Sequence, residues 1–170
     1  FSGDLGKSNT PLLRDPTKIS HADYLIVEST YGNRLHGDPS QRLSQLVEVV
    51  RQAQGPIIIP AFAVERTQEL LWDLADLTRE GRIPEIPIYL DSPMALSATG
   101  VFEKHLNCLA LEIQARIRRG ESPLEMPNLH IIREATESRA LNGLQGPCII
   151  ISASGMCEGG RVRHHLFHHL

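Results

Sequence analysis

Short apolar runs alternating with amphipathic stretches constrain this chain more than any other feature. Ile57–Ile59, Pro87–Leu90 and Pro147–Ile151 are each followed, after a turn, by a helix-like pattern. Such a run is too short for a helix, and being apolar on every side it suits a strand buried on both faces. Strand, helix, strand in succession with short links gives a parallel sheet covered by helices. The expected fold class is therefore α/β, a parallel Rossmann-like sheet with helices on both faces.

The finer reading follows the same logic. Ala22–Val27 is a strand candidate ending at Glu28. Asp38 as N-cap, Pro39 at the first helical position and Gln41 three residues after the cap open a helix. Leu43, Leu46, Val47 and Val50 recur at helical spacing, and Gly55 stops it. Glu65–Arg79 carries Leu70, Leu71, Leu74 and Leu77 on one face. Residues from about Ala95 to Arg119 read as one broken helix or two. Leu129–Ile132 is a weak strand, Arg133–Leu141 a short polar helix, and a last helix starts near Gly159. Gly120–Asn128, with two prolines, reads as a surface loop.

Composition narrows the function classes. The 170 residues fit about one domain, with 17 basic against 20 acidic residues and a net charge of −3. Charge alone therefore names no nucleic-acid partner, and any such surface must be local. No apolar stretch approaches the ~18 residues of a membrane span, so no membrane partner is expected. Three scattered cysteines do not make a disulfide framework and point to a reducing, cytoplasmic compartment. The chain opens on Phe1–Asp4 without a leader pattern and closes at Leu170 inside a helical pattern, so it reads as a piece of a longer protein.

In an open parallel sheet, ligands bind beyond the carboxyl ends of the strands. The residues there are Glu28–Gly32, Pro60–Arg66, Asp91–Pro93 and Ser152–Gly155. Carboxylates, small hydroxyls and an arginine suit a phosphate near a metal; polar turn residues at strand ends are the bland alternative. Arg66 near a helix start suggests either a substrate phosphate or a buried pair with Glu28 or Asp91. Ser152 and Ser154 are phosphate donors or plain turn formers. His36 either faces a cleft or is a solvated helix-entry residue.

Five segments in order, Phe1–Gly6, Val27–Gly32, Pro60–Leu70, Leu90–Met94 and Ile151–Met156, give the chain its family resemblance. It resembles the β-CASP branch of the metallo-β-lactamase superfamily, a group of RNA- and DNA-cleaving nucleases. That resemblance implies a β-lactamase-like sandwich ending near residue 33, then an incomplete β-CASP domain over residues 34–170. It also implies two zinc ions in the intact protein, bridged by Asp4, with Glu28 orienting a histidine that acts as general acid. The family's remaining metal-ligating histidines would lie before Phe1 and after Leu170. Zinc-dependent hydrolysis of RNA is the implied activity, with this piece inactive alone. RNA is the implied partner, and a homodimer an open alternative. A noncatalytic RNA-binding or scaffold member of the same family is the competing reading.

Two further patterns remain. His164/His168 and His165/His169 have the i,i+4 spacing that can chelate a metal, but no companion carboxylate lies beside them. Of the 17 basic residues 14 are arginines, which favours planar contacts to phosphate. Low aromatic content leaves little for base stacking.

Overall fold

The structure is a computed structural model that describes every residue except Asp4, His36, Pro123 and Leu124. Four strands, β1 (Pro56–Pro60), β2 (Ile88–Asp91), β3 (Leu129–Ile131) and β4 (Cys148–Ser152), form one parallel sheet in the order β1-β4-β2-β3. Among the described residues six α-helices surround it: α1 (Arg42–Gln52), α2 (Arg66–Arg79), α3 (Pro93–Lys104), α4 (Leu111–Arg118), α5 (Ala135–Ala140) and α6 (Val162–His169).

The alternation of side chains along each strand assigns the two faces. Ile149 and Ile151 of β4 share a core with Ile88 and Leu90, covered by Val50 of α1 and by Leu71, Leu74 and Ala75 of α2. The intervening Cys148 and Ile150 turn to the other face and pack with Ile132, Leu141 and Tyr89. Register pairs Asp91 with Ser152, so both lie at the sheet's carboxyl end on that second face, the side of α5 and α6. A third cluster, Leu12, Trp72, Leu109 and Ile113, buries the outer side of α2. That helix is thereby enclosed on two sides, and even its Thr67, Gln68 and Glu69 are buried.

Three expectations need correction. Ala22–Val27 is not a sheet strand: its one ladder contact is an isolated bridge between Ser2 and Val27, and Tyr24, Leu25 and Ile26 are exposed. A strand is stable only with partners along its length, and among the described residues this segment has a single one. The run Ile57–Ile59 forms β1 as expected but lies at the sheet edge, half-buried, while β4 takes the central, fully buried place. In the loop after α4, Met126 and Asn128 are buried, because Met126 joins the main core and the Asn128 amide donates to the Ile86 carbonyl at 2.6 Å.

Candidate functional site at the carboxyl ends of the strands

Asp91, the last residue of β2, is fully buried and is the hub of the sheet's carboxyl end. Its carboxylate accepts hydrogen bonds from Ser138 Oγ (2.5 Å) and Arg161 Nη1 (2.7 Å), and pairs with His165 Nε2 (2.7 Å). Burial alone would push this carboxyl up; the contacts with His165, Ser138 and Arg161 outweigh it and hold the group below the usual range. The second ring nitrogen of His165 meets Asn142 Oδ1 at 3.1 Å, and Arg161 Nη2 donates to the Arg133 carbonyl at 2.9 Å. One carboxylate thus ties β2 to α5, α6 and the turn after β3.

The turn from β4 into α6 is folded tightly beside it. The Ser154 hydroxyl and backbone N–H both donate to the Gly159 carbonyl, at 3.4 and 3.3 Å. Gly160 has φ +76°, and a Cβ there would lie 2.3 Å from the Ala153 carbonyl oxygen, so the turn admits only glycine. At Gly155 the backbone approaches Phe62, where a Cβ would come within 3.0 Å of the Phe62 N atom. The turn after β1 is unusual too. Arg66 N donates to the Val64 carbonyl at 3.0 Å around Glu65, whose φ of +69° and ψ of −66° make a strained γ-turn.

The sequence-derived candidates fall in different places. Ser152 is buried, with its hydroxyl donating to the Asp91 carbonyl at 3.0 Å. Arg66 pairs with Glu69 of its own helix at 2.9 Å, and not with Glu28 or Asp91. It also lines a cavity of about 540 Å³ together with Phe62, Val64, Glu65 and Gly6, which brings the first residues of the chain against the β1–α2 turn. Glu28 lies on the exposed amino-terminal segment and accepts from Thr30 N at 2.6 Å. Its own N–H donates to the Ser2 carbonyl (3.2 Å), so the segment leading into Asp4 and the segment carrying Glu28 run side by side. Asp4 and His36 lie outside the described residues.

Among the described residues no three His, Cys, Asp or Glu side chains gather into a group that could hold a metal ion. By themselves they do not fit a zinc centre. His165 is committed to Asp91 and Asn142, so it is not half of a chelating pair with His169. Spacing along the chain singled out the histidines but not their partner, which lies 74 residues away.

The family model named Beta-Casp domain matches residues 67–170, the segment from α2 to the end of α6. The chain belongs to the β-CASP family. Within it, the chain is 37% identical to "Ribonuclease TTHA0252" of Thermus thermophilus over its whole length, covering 40% of that protein. It is 36% identical to an "RNase J-like protein" of Methanocaldococcus jannaschii, with 98% of this chain and 39% of the relative covered. To "Cleavage and polyadenylation specificity factor 73" of Drosophila melanogaster it is 33% identical, over 96% of this chain and 24% of the relative. The chain therefore spans well under half the length of these relatives. The matched segment of this chain includes Asp91, Ser138, Arg161 and His165.

Proposed function

We propose that the protein carrying this β-CASP domain is a zinc-dependent phosphodiester hydrolase acting on RNA. The observation that supports this reading is that likeness to a ribonuclease runs through the entire chain, from the segments of Asp4 and Glu28 to α6. Residues 1–33 would close a metallo-β-lactamase-like domain, with residues 34–170 as the inserted β-CASP domain. Asp4 would be the one metal ligand that this chain contributes. Glu28, on the neighbouring segment, would fix the position of a histidine supplied from elsewhere in the protein. The cavity between Gly6 and the β1–α2 turn suits the passage of substrate past Arg66.

The test uses the full-length protein, its Asp4→Asn and Glu28→Gln variants, zinc analysis by mass spectrometry and cleavage of labelled single-stranded RNA. Asp4→Asn should lose zinc and at least about a hundredfold in rate. Glu28→Gln should keep its zinc yet lose roughly 10–100-fold, the usual effect of removing a group that orients a ligand or acid. RNA cleavage that survives complete removal of metal would overturn the zinc requirement. Tight RNA binding without any cleavage would instead identify a noncatalytic member of the family.

A further inference from the structure

Two adjoining cavities flank α6, and their lining is one-sided in charge. The first, about 400 Å³, lies between α5 and α6 and is lined by Arg139, Arg161, His164 and His168 together with Ser138 and Asn142. The second, about 440 Å³, shares His164 and adds Arg163, Phe167 and the Gly159–Gly160 backbone. Among the described residues no carboxylate lines either one; Asp91 bonds two residues that line the first, Ser138 and Arg161. Glu134, Glu137 and Glu158 are nearby in sequence, but the Glu137 carboxylate is engaged by the backbone N–H groups of Arg133 and Glu134.

Arg42, Arg66 and Arg116 are each ion-paired with a carboxylate. Among the described residues Arg139 and Arg163 have no carboxylate within 4 Å, in a chain whose acidic residues outnumber its basic ones. Among those residues Arg14, Arg34, Arg51, Arg118 and Arg133 also lack an ion pair, and Arg139 and Arg163 are distinguished from them by lining adjoining cavities. Arg161 is held rigidly by Asp91 and the Arg133 carbonyl, which use one N–H of each terminal nitrogen and leave its other donors free to face the cavity. A single arginine in a last helical turn needs no ligand, since it suits the helix dipole. Two guanidinium groups without a carboxylate, beside an Arg161 already paired with Asp91 and two imidazoles that can donate, make these adjoining cavities suited to an anion. Phe167, 84% exposed and set edge-on to His168, offers a flat apolar face beside the second cavity.

We propose that these two cavities take successive phosphate groups of single-stranded RNA, with Phe167 stacking against a base. This inference rests on the RNA-hydrolase reading and adds to it a binding surface on α5 and α6, separate from Asp4 and Glu28. Phosphates supply the charge that Arg139 and Arg163 lack, and a flexible strand presents them one after another.

The test is equilibrium binding of a fluorescent oligouridylate to the full-length protein, with EDTA present to prevent cleavage, over a series of salt concentrations. The Arg139→Gln/Arg163→Gln double variant should bind at least about tenfold more weakly. It should also lower the slope of log affinity against log salt by about 1.4, the loss of two single-strand phosphate contacts. Arg51→Gln on α1 changes charge by the same step per residue and should leave affinity and slope where they are. Inorganic phosphate at millimolar concentration should not displace the oligonucleotide; if it does so completely, the cavities hold an isolated anion and the RNA assignment fails. Equal affinity and slope for the double variant and the parent, in a parent that cleaves RNA, would overturn the site and leave the hydrolase reading intact. A parent that neither binds nor cleaves RNA would overturn both. Both arginines are exposed and without side-chain partners, so thermal melting of the double variant should match the parent.

Discussion

The Asp91 carboxylate shows how much of this molecule depends on a single buried charge. Three side chains converge on it from 47, 70 and 74 residues away, and the Ser152 hydroxyl holds its carbonyl from 61. Removing one partner of a buried ion pair leaves the others desolvated and unmatched, at a cost of about 3–5 kcal/mol. Asp91→Asn should therefore lower the stability of the domain by that amount in urea unfolding. Ser152→Ala, which removes one neutral hydrogen bond, is a milder change. In the sequence Asp91 was legible as a polar residue closing a strand and as a candidate ion-pair partner of an arginine, but of Arg66 and not of Arg161. Its role was not, because none of its partners is local and no spacing rule connects β2 with α5 and α6. His165 was likewise visible as a residue of interest for a reason, helical chelation, that the fold does not use.

At the scale of elements, boundaries set by local chemistry were readable and those set by neighbours were not. Asp38 caps the turn before α1 by accepting from Ser40 N at 2.9 Å, as its position before Pro39 suggests. The break near residue 105 that splits α3 from α4 was likewise one of the two sequence alternatives. Ser92 caps α3 through the Ala95 N–H at 3.2 Å, and it does so buried beneath the core. Ser92→Ala should cost about 1 kcal/mol, read as a shift in the urea midpoint with an unchanged slope. Strand order was beyond reach for a physical reason. Hydrophobic patterning states which faces of a strand are covered, and half-buried β1 and fully buried β4 carry the same apolar signature. Ala22–Val27 has the strand signature as well, yet its side chains stand exposed with one bridge to Ser2.

The whole molecule should register two of its buried carboxylates in opposite senses. Burial raises Asp73 from 3.8 to about 6, despite Arg42 held at 2.5 and 3.0 Å, so the folded state binds a proton there more tightly than the unfolded chain. That difference amounts to about 3 kcal/mol, and it lowers stability as pH rises from about 4 to about 6. Asp91 has the opposite sign. Its carboxyl is held low, so its contribution is complete above the ordinary carboxylate range and is lost as pH falls through its depressed value. Urea midpoints measured across pH should therefore peak near about pH 4 and decline to about pH 6, and Asp73→Asn should flatten that decline.

Of the four described strands, β4 comes last in sequence yet stands between β1 and β2, which precede it by more than fifty residues, and β1 has no ladder to β2 without it. A ribosome must therefore release the chain through Ser152 before any closed sheet exists. Until then the edges of Ile57–Ile59 and Ile88–Leu90 stand open and sticky, the condition in which nascent chains pair with one another. Carboxyl-terminal truncation that removes β4 should leave no smaller folded core, and translation of this domain is a natural client for a chaperone that shields apolar strands.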